Sequence, residues 1–207
     1  MNNTVQLLGY YGGDETHAMS AWTSTNRDIT RKKHRIPELL KMLAENKHVT
    51  PFEKSMIHFL VTCDMASHIH IIKHRIAVSV NSESARYKEL NEDKYYVPSD
   101  LPLEILSEIE ATSIGLIAKY HSLLNRMVAL GVPRKRAKES ARFVLPYANQ
   151  LTMDVAFNFS SFMHFYKLRS AQDAQLEIRE IAENMKDLII GTGSFNASLA
   201  AFGVISQ

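Results

Sequence analysis

Lys73-His74-Arg75-Ile76-Ala77-Val78-Ser79-Val80-Asn81-Ser82-Glu83-Ser84-Ala85-Arg86-Tyr87 crowds cations, hydroxyls and a carboxamide into a stretch that reads as neither helix nor strand. It predicts an irregular loop built to hold a polar ligand. Lys73, Arg75 and Arg86, with His74 among them, supply donors for phosphate, while Ser79, Asn81, Ser82 and Ser84 suit a ring edge or a ribose. Just upstream, Pro51 to Cys63 is an apolar, strand-like run entered from a turn, and Ala66 to His74 has the pattern of a short helix. Strand, short helix and ligand loop in direct succession point to an α+β chain.

The remaining elements extend outward from this frame. Val5 to Tyr10 predicts a short strand closed by Gly12 and Gly13, with a helix from about Glu15. The basic run Arg31 to Arg35 leads through Pro37 into a helix carrying Ile36, Leu39, Leu40 and Leu43. Tyr95 to Val97 is a brief extended piece stopped by Pro98. Asp100 is expected to cap the longest helix, with Pro102 in its first turn and an apolar stripe from Leu103 through Ile109, Tyr120 and Met127 to Leu130. Gly131 ends that helix, and Pro133 starts another with Ala137, Ala141 and Val144 turned inward. Asn158 to Leu168 is aromatic and amphipathic, and Ser170 with Asp173 reads as a capping box for a last long helix through Ala174, Ile178, Ile181, Met185 and Leu188. Gly191 and Gly193 precede a short terminal helix. With no repeat and no low-complexity linker, residues 1–207 read as a single, mostly helical α+β domain with a small antiparallel or mixed sheet.

Composition narrows the function classes. With 45% hydrophobic and 22% charged residues the chain is neither disordered nor fibrous, and a net charge of +2 argues against a surface dedicated to nucleic acid. No basic leader with a long apolar run and no stretch of membrane-spanning length is seen, so a cytoplasmic protein without a membrane partner is expected. A lone cysteine, Cys63, excludes an internal disulfide, and its apolar surroundings suit a packed residue better than a nucleophile. The chain has no Walker loop, no Rossmann glycine fingerprint, no nucleophile elbow and no HExxH. His70 and His74, four apart with His68 nearby, could share a helical face, but no carboxylate completes a ligand set, so no metal is expected.

Three further blocks stand apart in the chain: His48-Val49-Thr50-Pro51-Phe52-Glu53, Ala141-Arg142-Phe143-Val144-Leu145-Pro146, and Asn158 through Arg169. Together with the opening stretch they resemble the flavin-dependent thymidylate synthases, whose hallmark Arg-His-Arg followed by a spaced Ser is flanked by HxTPFE, ARxVLP and an Asn-to-Arg segment before a helix. The resemblance runs in the right order over nearly the whole chain. It implies that family's fold and the reductive methylation of dUMP to dTMP, with 5,10-methylenetetrahydrofolate as carbon donor and NADPH as reductant through FAD. Chemistry of this kind leaves the hard step to the flavin and needs no cysteine nucleophile.

By resemblance, His74 and Arg75 match flavin-contacting motif positions, with Lys73 where arginine is usual; lysine keeps the charge and loses the planar fork. Thr50 and His48 match positions near the flavin and the folate, Asn158 and His164 match further FAD positions, and Glu83 or Ser82 occupies the motif's acidic position. Ser84, Arg86, Arg142 and Arg169 match the nucleotide-binding positions, and His70 stands where a glutamine often meets the nucleotide. Three guanidiniums and a hydroxyl on one anion make sense for a nucleoside monophosphate. Arg169 matches the catalytic arginine, which favours negative charge on the pyrimidine as C5 becomes nucleophilic. The family further implies a homotetramer with FAD sites at subunit interfaces.

The chain departs from the pattern in places. Eight residues separate Arg75 from Ser84, one more than the motif has, so an extra residue must be taken up between Ile76 and Glu83. Ser160 replaces an arginine that often helps hold FAD. Two other readings therefore stand beside the first: the same chemistry on dCMP or UMP, and a nonenzymatic nucleotide or nucleic-acid binding protein using Arg31 to Arg35 and Arg134 to Arg136.

Overall fold

The computed structural model describes residues 2–25, 32–84 and 94–206. Its sheet has four strands in the order β1-β2-β4-β3. Strand β2, Met56–Asp64, is the apolar run: Ile57, Phe59, Val61 and Cys63 are fully buried, and His58, Leu60 and Thr62 on the other face are half-buried. It starts later than Pro51 because Thr50–Glu53 winds into a 3₁₀ turn with Pro51 in its first positions, where a missing N–H costs nothing. Asp64 then turns strand into helix, its carboxylate accepting from the Ser67 amide at 2.9 Å and the Ser67 hydroxyl at 2.7 Å. The resulting helix α3, Met65–Ile72, ends before His74, with Lys73 as its C-cap.

The structure corrects the reading of the opening stretch as wholly irregular. Val78–Ser82 is strand β3, with half-buried Val78, Val80 and Ser82 alternating with exposed Ser79 and Asn81. Its period of two was hidden by the polar side chains at both alternating positions. A strand that the pattern did not announce, β4 (Gln150–Phe157), lies between β2 and β3, burying Met153, Val155 and Phe157. Strand β1, Thr4–Tyr11, forms the other edge. Every neighbouring pair is antiparallel. Asn3 meets Asp64 while Gly12 lies against Ser55; Thr62 meets Thr152 while His58 meets Asp154; and Glu83 meets Thr152 while Ala77 meets Asn158.

The chain groups into two compact units, each drawn from three stretches: Met1–Thr4, Val61–Lys73 and Asn81–Met153 in the first, and Val5–Leu60, His74–Val80 and Asp154–Gln207 in the second. Because the stretches interleave, no single boundary along the sequence divides them. In the first unit, α4 (Leu103–Ala129) packs on α5 (Arg134–Ala141), and Tyr120, Leu124 and Ala141 form a core flanked by Leu123, Met127, Val144 and Leu145. The expected stripe holds only in its middle, since Leu103 is 82% and Leu130 81% exposed. Asp100 does not cap α4. Pro102 occupies the N-cap position with no side-chain cap, leaving Asp100 too far back to reach the first free amides.

The second unit holds α1 (Asp14–Thr23), α2 (Ile36–Glu45), α6 (Phe159–Arg169), α7 (Leu176–Thr192) and α8 (Asn196–Ala201). Its α7 starts later than a Ser170–Asp173 capping box would place it. The Ser170 amide and hydroxyl are both spent on the Tyr166 carbonyl, at 2.8 Å each, closing α6 instead. Along α7, Ile189 rather than Leu188 continues the buried row of Ile178, Ile181 and Met185.

A buried polar chain threads the aromatic core of this unit. The Asp14 carboxylate accepts from the Ser198 hydroxyl at 2.5 Å and from the Ala197 and Ser198 amides at 2.8 Å each. Ser198 Oγ must therefore accept from His17 Nδ1–H at 2.8 Å, which leaves His17 Nε2 to accept from the Ser55 hydroxyl at 2.8 Å. The His17 ring, fully buried, sits among Phe52, Phe159 and Phe195. Burial pushes its pKa down to about 4 from the usual 6.5. The unfolded chain therefore binds a proton that the folded chain refuses, and stability falls as pH drops from about 6.5 towards about 4. Asp14, raised mainly by burial against its three hydrogen bonds, partly offsets this at the acid end. Urea denaturation should show stability at pH 4.5 lower than at pH 7.5, His17 contributing on the order of 2–3 kcal/mol of the loss, and His17→Gln should flatten that dependence. An equal slope in the variant would exclude His17 as its source.

Candidate active site

Residues 74 to 77, leaving α3, run along α6 from its C-terminal end towards its start. Arg169 Nε–H donates to His74 Nε2 at 3.1 Å, so that nitrogen carries a lone pair. The His74 ring meets Phe165 edge-on at 5.1 Å and His164 at 5.8 Å between centroids. Farther along, the Ile76 carbonyl accepts from the Ser161 hydroxyl at 2.8 Å and the Ala77 carbonyl from the Asn158 amide at 3.3 Å. Arg75, between these anchors, is exposed and has no partner among the described residues. Burial lowers the Arg169 pKa, yet a guanidinium stays charged at any physiological pH.

Asn158 is buried and caps α6, its Oδ1 accepting from the Ser161 amide at 2.8 Å. The Thr50–Glu53 turn packs on the same helix through Phe52 and Phe159, whose rings lie 6.1 Å apart. His48, Thr50 and His164 are exposed. Thus His48, Thr50, His74, Arg75, Asn158, His164 and Arg169 all belong to the second unit.

The other predicted residues belong to the first unit. Ser84, Glu83 and Arg142 line a cavity of about 410 Å³, with Arg142 exposed on the 3₁₀ turn Arg142–Val144. Glu83 is clamped to β4 twice: its amide donates to the Thr152 carbonyl at 2.8 Å, and its Oε2 accepts from the Thr152 amide at 2.9 Å. His70 is half-buried in the last turn of α3, and Lys73 is exposed at its C-cap. Arg86 lies outside the described residues. Cys63 is fully buried, and its thiol is pushed far up by burial and then by Asp64, so it is held protonated. Among the described residues, no three His, Cys, Asp or Glu side chains are grouped to hold a metal ion, and no helix is long and apolar enough to cross a membrane. With α3 ended at Ile72, His70 and His74 do not share a helical face.

The stretch from Ile76 to Glu83, one residue longer than the motif, enters the sheet in a regular register. Ala77 opposite Asn158 and Glu83 opposite Thr152 keep one unbroken antiparallel register, so β3 contains no bulge. Just before the strand Ala77 adopts φ +52°, a left-handed conformation costing a non-glycine residue roughly 1 kcal/mol.

One contributor carried no local signal. His68, buried on α3, shares a hydrogen bond with the Ser82 hydroxyl through Nε2 at 2.9 Å, tethering the last residue of β3 beside the cavity-lining Glu83 and Ser84. Its Nδ1 is buried with no partner. Only the tertiary approach of α3 to β3 makes that pair.

Comparison with known proteins decides the family. Residues 6–191 match the family model described as thymidylate synthase complementing protein. The chain belongs to the flavin-dependent thymidylate synthase family. A flavin-dependent thymidylate synthase from Pseudothermotoga lettingae is 30% identical over 185 residues, covering 86% of this chain and 80% of the relative. Another, from Kosmotoga olearia, is 28% identical over 197 residues, covering 86% and 81%. Among solved structures, the UMP/dUMP methylase PolB from Streptomyces cacaoi, bound with 5-Br dUMP, superposes with a TM-score of 0.82 at 23% identity, covering 99% of this chain and 96% of that one, which shows a shared fold. Membership makes this chain a flavin-dependent enzyme of the methyltransferase type, in place of a nonenzymatic binder. Two cations of the basic runs also have acidic partners, Lys33 with Glu15 at 2.7 Å and Arg136 with Glu139 at 3.6 Å.

The His68 tether makes a testable claim about the fold. His68→Leu removes a buried, half-satisfied imidazole and should leave stability within about 1 kcal/mol of the parent, while hydrogen exchange of residues 78–84 quickens because Ser82 loses its partner. Unchanged exchange in that segment would show that the bond does not hold it.

Proposed function

We propose that the protein reductively methylates dUMP to dTMP, with 5,10-methylenetetrahydrofolate as carbon donor and NADPH as reductant. The observation that carries this reading is the hydrogen bond from Arg169 to His74, which joins the signature stretch to the guanidinium that closes the Asn158-to-Arg169 block. FAD, when bound, relays the reducing equivalents. The donor set fits it: Arg75 is an exposed, unspent cation for a pyrophosphate, and Thr50, His48 and His164 are exposed polar groups of the same unit. Lys73 and Glu83 are the further flavin contacts of this reading.

The residues divide the work by charge. Ser84, Arg86 and Arg142, with His70, take the nucleotide, and the guanidiniums neutralise its phosphate. Arg169, oriented by a neutral His74 acceptor, opposes negative charge as it develops on the pyrimidine. Asn158 acts through position, holding the start of α6 beneath the segment that carries Arg75. The active form is a cytoplasmic homotetramer of single-domain subunits, with FAD sites shared between them. UMP deserves a place in the assay because PolB is described as a UMP/dUMP methylase; dCMP is the other alternative.

Purified protein incubated with FAD, NADPH, methylenetetrahydrofolate and dUMP should yield dTMP, and absence of product both aerobically and anaerobically would overturn the proposal. Arg169→Ala should cost at least about 100-fold in turnover with flavin absorbance retained. Arg75→Ala should instead weaken FAD binding by about tenfold, the loss of one charge-assisted pair. The opposite pattern would mean that the two roles are exchanged.

A further inference from the structure

The bond between His68 and Ser82 fastens two walls of one cavity in the first unit. Met65 and Ile69, four apart on α3, line it from the helix side, and Glu83 and Ser84, just past the end of β3, line it from the strand side. His68 stands three residues after Met65 and reaches the last residue of the strand, its Nε2 2.9 Å from Ser82 Oγ. The side chain is only 9% exposed, so the bond is shielded from water.

Burial also decides which nitrogen carries the proton. It lowers the pKa of the ring, so His68 is uncharged at physiological pH and one nitrogen is bare. Its Nδ1 is buried with no hydrogen-bond partner. A buried N–H with no acceptor is rarer than a buried lone pair left unused, so the proton sits on Nε2 and His68 donates to Ser82 Oγ.

The donor acts where the strand needs it. β3 is an edge strand, paired along one side only, and it ends at Ser82. Two successive residues are clamped there from different directions: Glu83 to Thr152 of β4, through its amide and its carboxylate, and Ser82 to α3. The Thr152 clamp sets the register and leaves the strand end able to swing about β4. The bond to α3 removes that freedom.

We propose that His68 is a positioning residue for the nucleotide: by holding Ser82 against α3 it places the Ser84 hydroxyl to meet the ligand in the cavity that Arg142 also lines. This rests on the reading above that Ser84 and Arg142 take the nucleotide. The effect falls on binding, because Arg169 and its partner His74 belong to the other unit and Glu83 keeps both bonds to Thr152 without His68. A misplaced hydroxyl weakens ground state and transition state alike, which raises KM and leaves kcat as it was.

The test is titration of the FAD-loaded full-length protein with dUMP, for the parent, His68→Leu, His68→Gln, Ser82→Ala and the His68→Leu/Ser82→Ala double variant. His68→Leu and Ser82→Ala should each weaken binding about fivefold, the worth of one hydrogen bond, with the double variant no weaker than either alone. His68→Gln, whose Nε2 donates from nearly the same place, should bind within about twofold of the parent. Flavin absorbance and thermal midpoint establish that each variant is folded, and Ser82→Ala alone decides if the His68 variants do not fold. In turnover the losses should appear in KM; a fallen kcat at the parental KM, which a loosened fold would give, overturns the assignment. So do variants that bind dUMP as the parent does, single losses that add in the double variant, or a glutamine as weak as the leucine. A parent that makes dTMP while the variants keep its affinity fails this inference only. A parent that binds dUMP and methylates nothing, with affinity lost in the variants, fails the reaction and upholds His68, and a parent that takes up no dUMP overturns both.

Discussion

The antiparallel pairing of β2 with β4 is the constraint on which the rest depends. Thr62 with Thr152 at 2.9 Å and His58 with Asp154 at 3.1 Å tie side chains across that pair, and both strands bury alternate apolar residues. Once the two are in register, β1 has only the outer side of β2 to pair with, and β3 only the outer side of β4. The polar stretch after α3 is thereby drawn out as an edge strand. Its two ends are anchored by the same β4 ladder, Ala77 at Asn158 and Glu83 at Thr152.

That ladder gives the signature stretch two separate duties. Before β3, residues 74 to 77 belong to α6: His74 to Arg169, Ile76 to Ser161, Ala77 to Asn158. After it, Glu83 and Ser84 belong to the cavity, with Ser82 held by His68. Between Ala77 and Glu83 the strand keeps one register with β4, and the left-handed turn at Ala77 lies just before it.

Much of this was legible along the chain. The β2 alternation, the long helix ended by Gly131, the α7 periodicity and the four family blocks are all local patterns, each set by side chains a few residues apart. What misled was equally local. Val78 to Ser82 hid its alternation under polar side chains, and Gln150 to Phe157 mixes Gln, Thr and Asp among its apolar residues because half of the strand faces polar partners such as Thr62 and His58. Asp100, and Ser170 with Asp173, looked like caps, but Pro102 and the Tyr166 carbonyl, respectively, took precedence over them.

The sequence by itself determined the family, the α+β class and the kinds of groups available to an anionic nucleotide and a flavin, because ordered motifs and residue chemistry survive without coordinates. Only the tertiary structure decided which of those groups meet. Arg169 and His74, His68 and Ser82, and the His17 chain from Asp14 to Ser55 pair over long separations. The physical reason is that hydrogen bonds are satisfied by proximity in space, and burial decides which of them a folded chain must make.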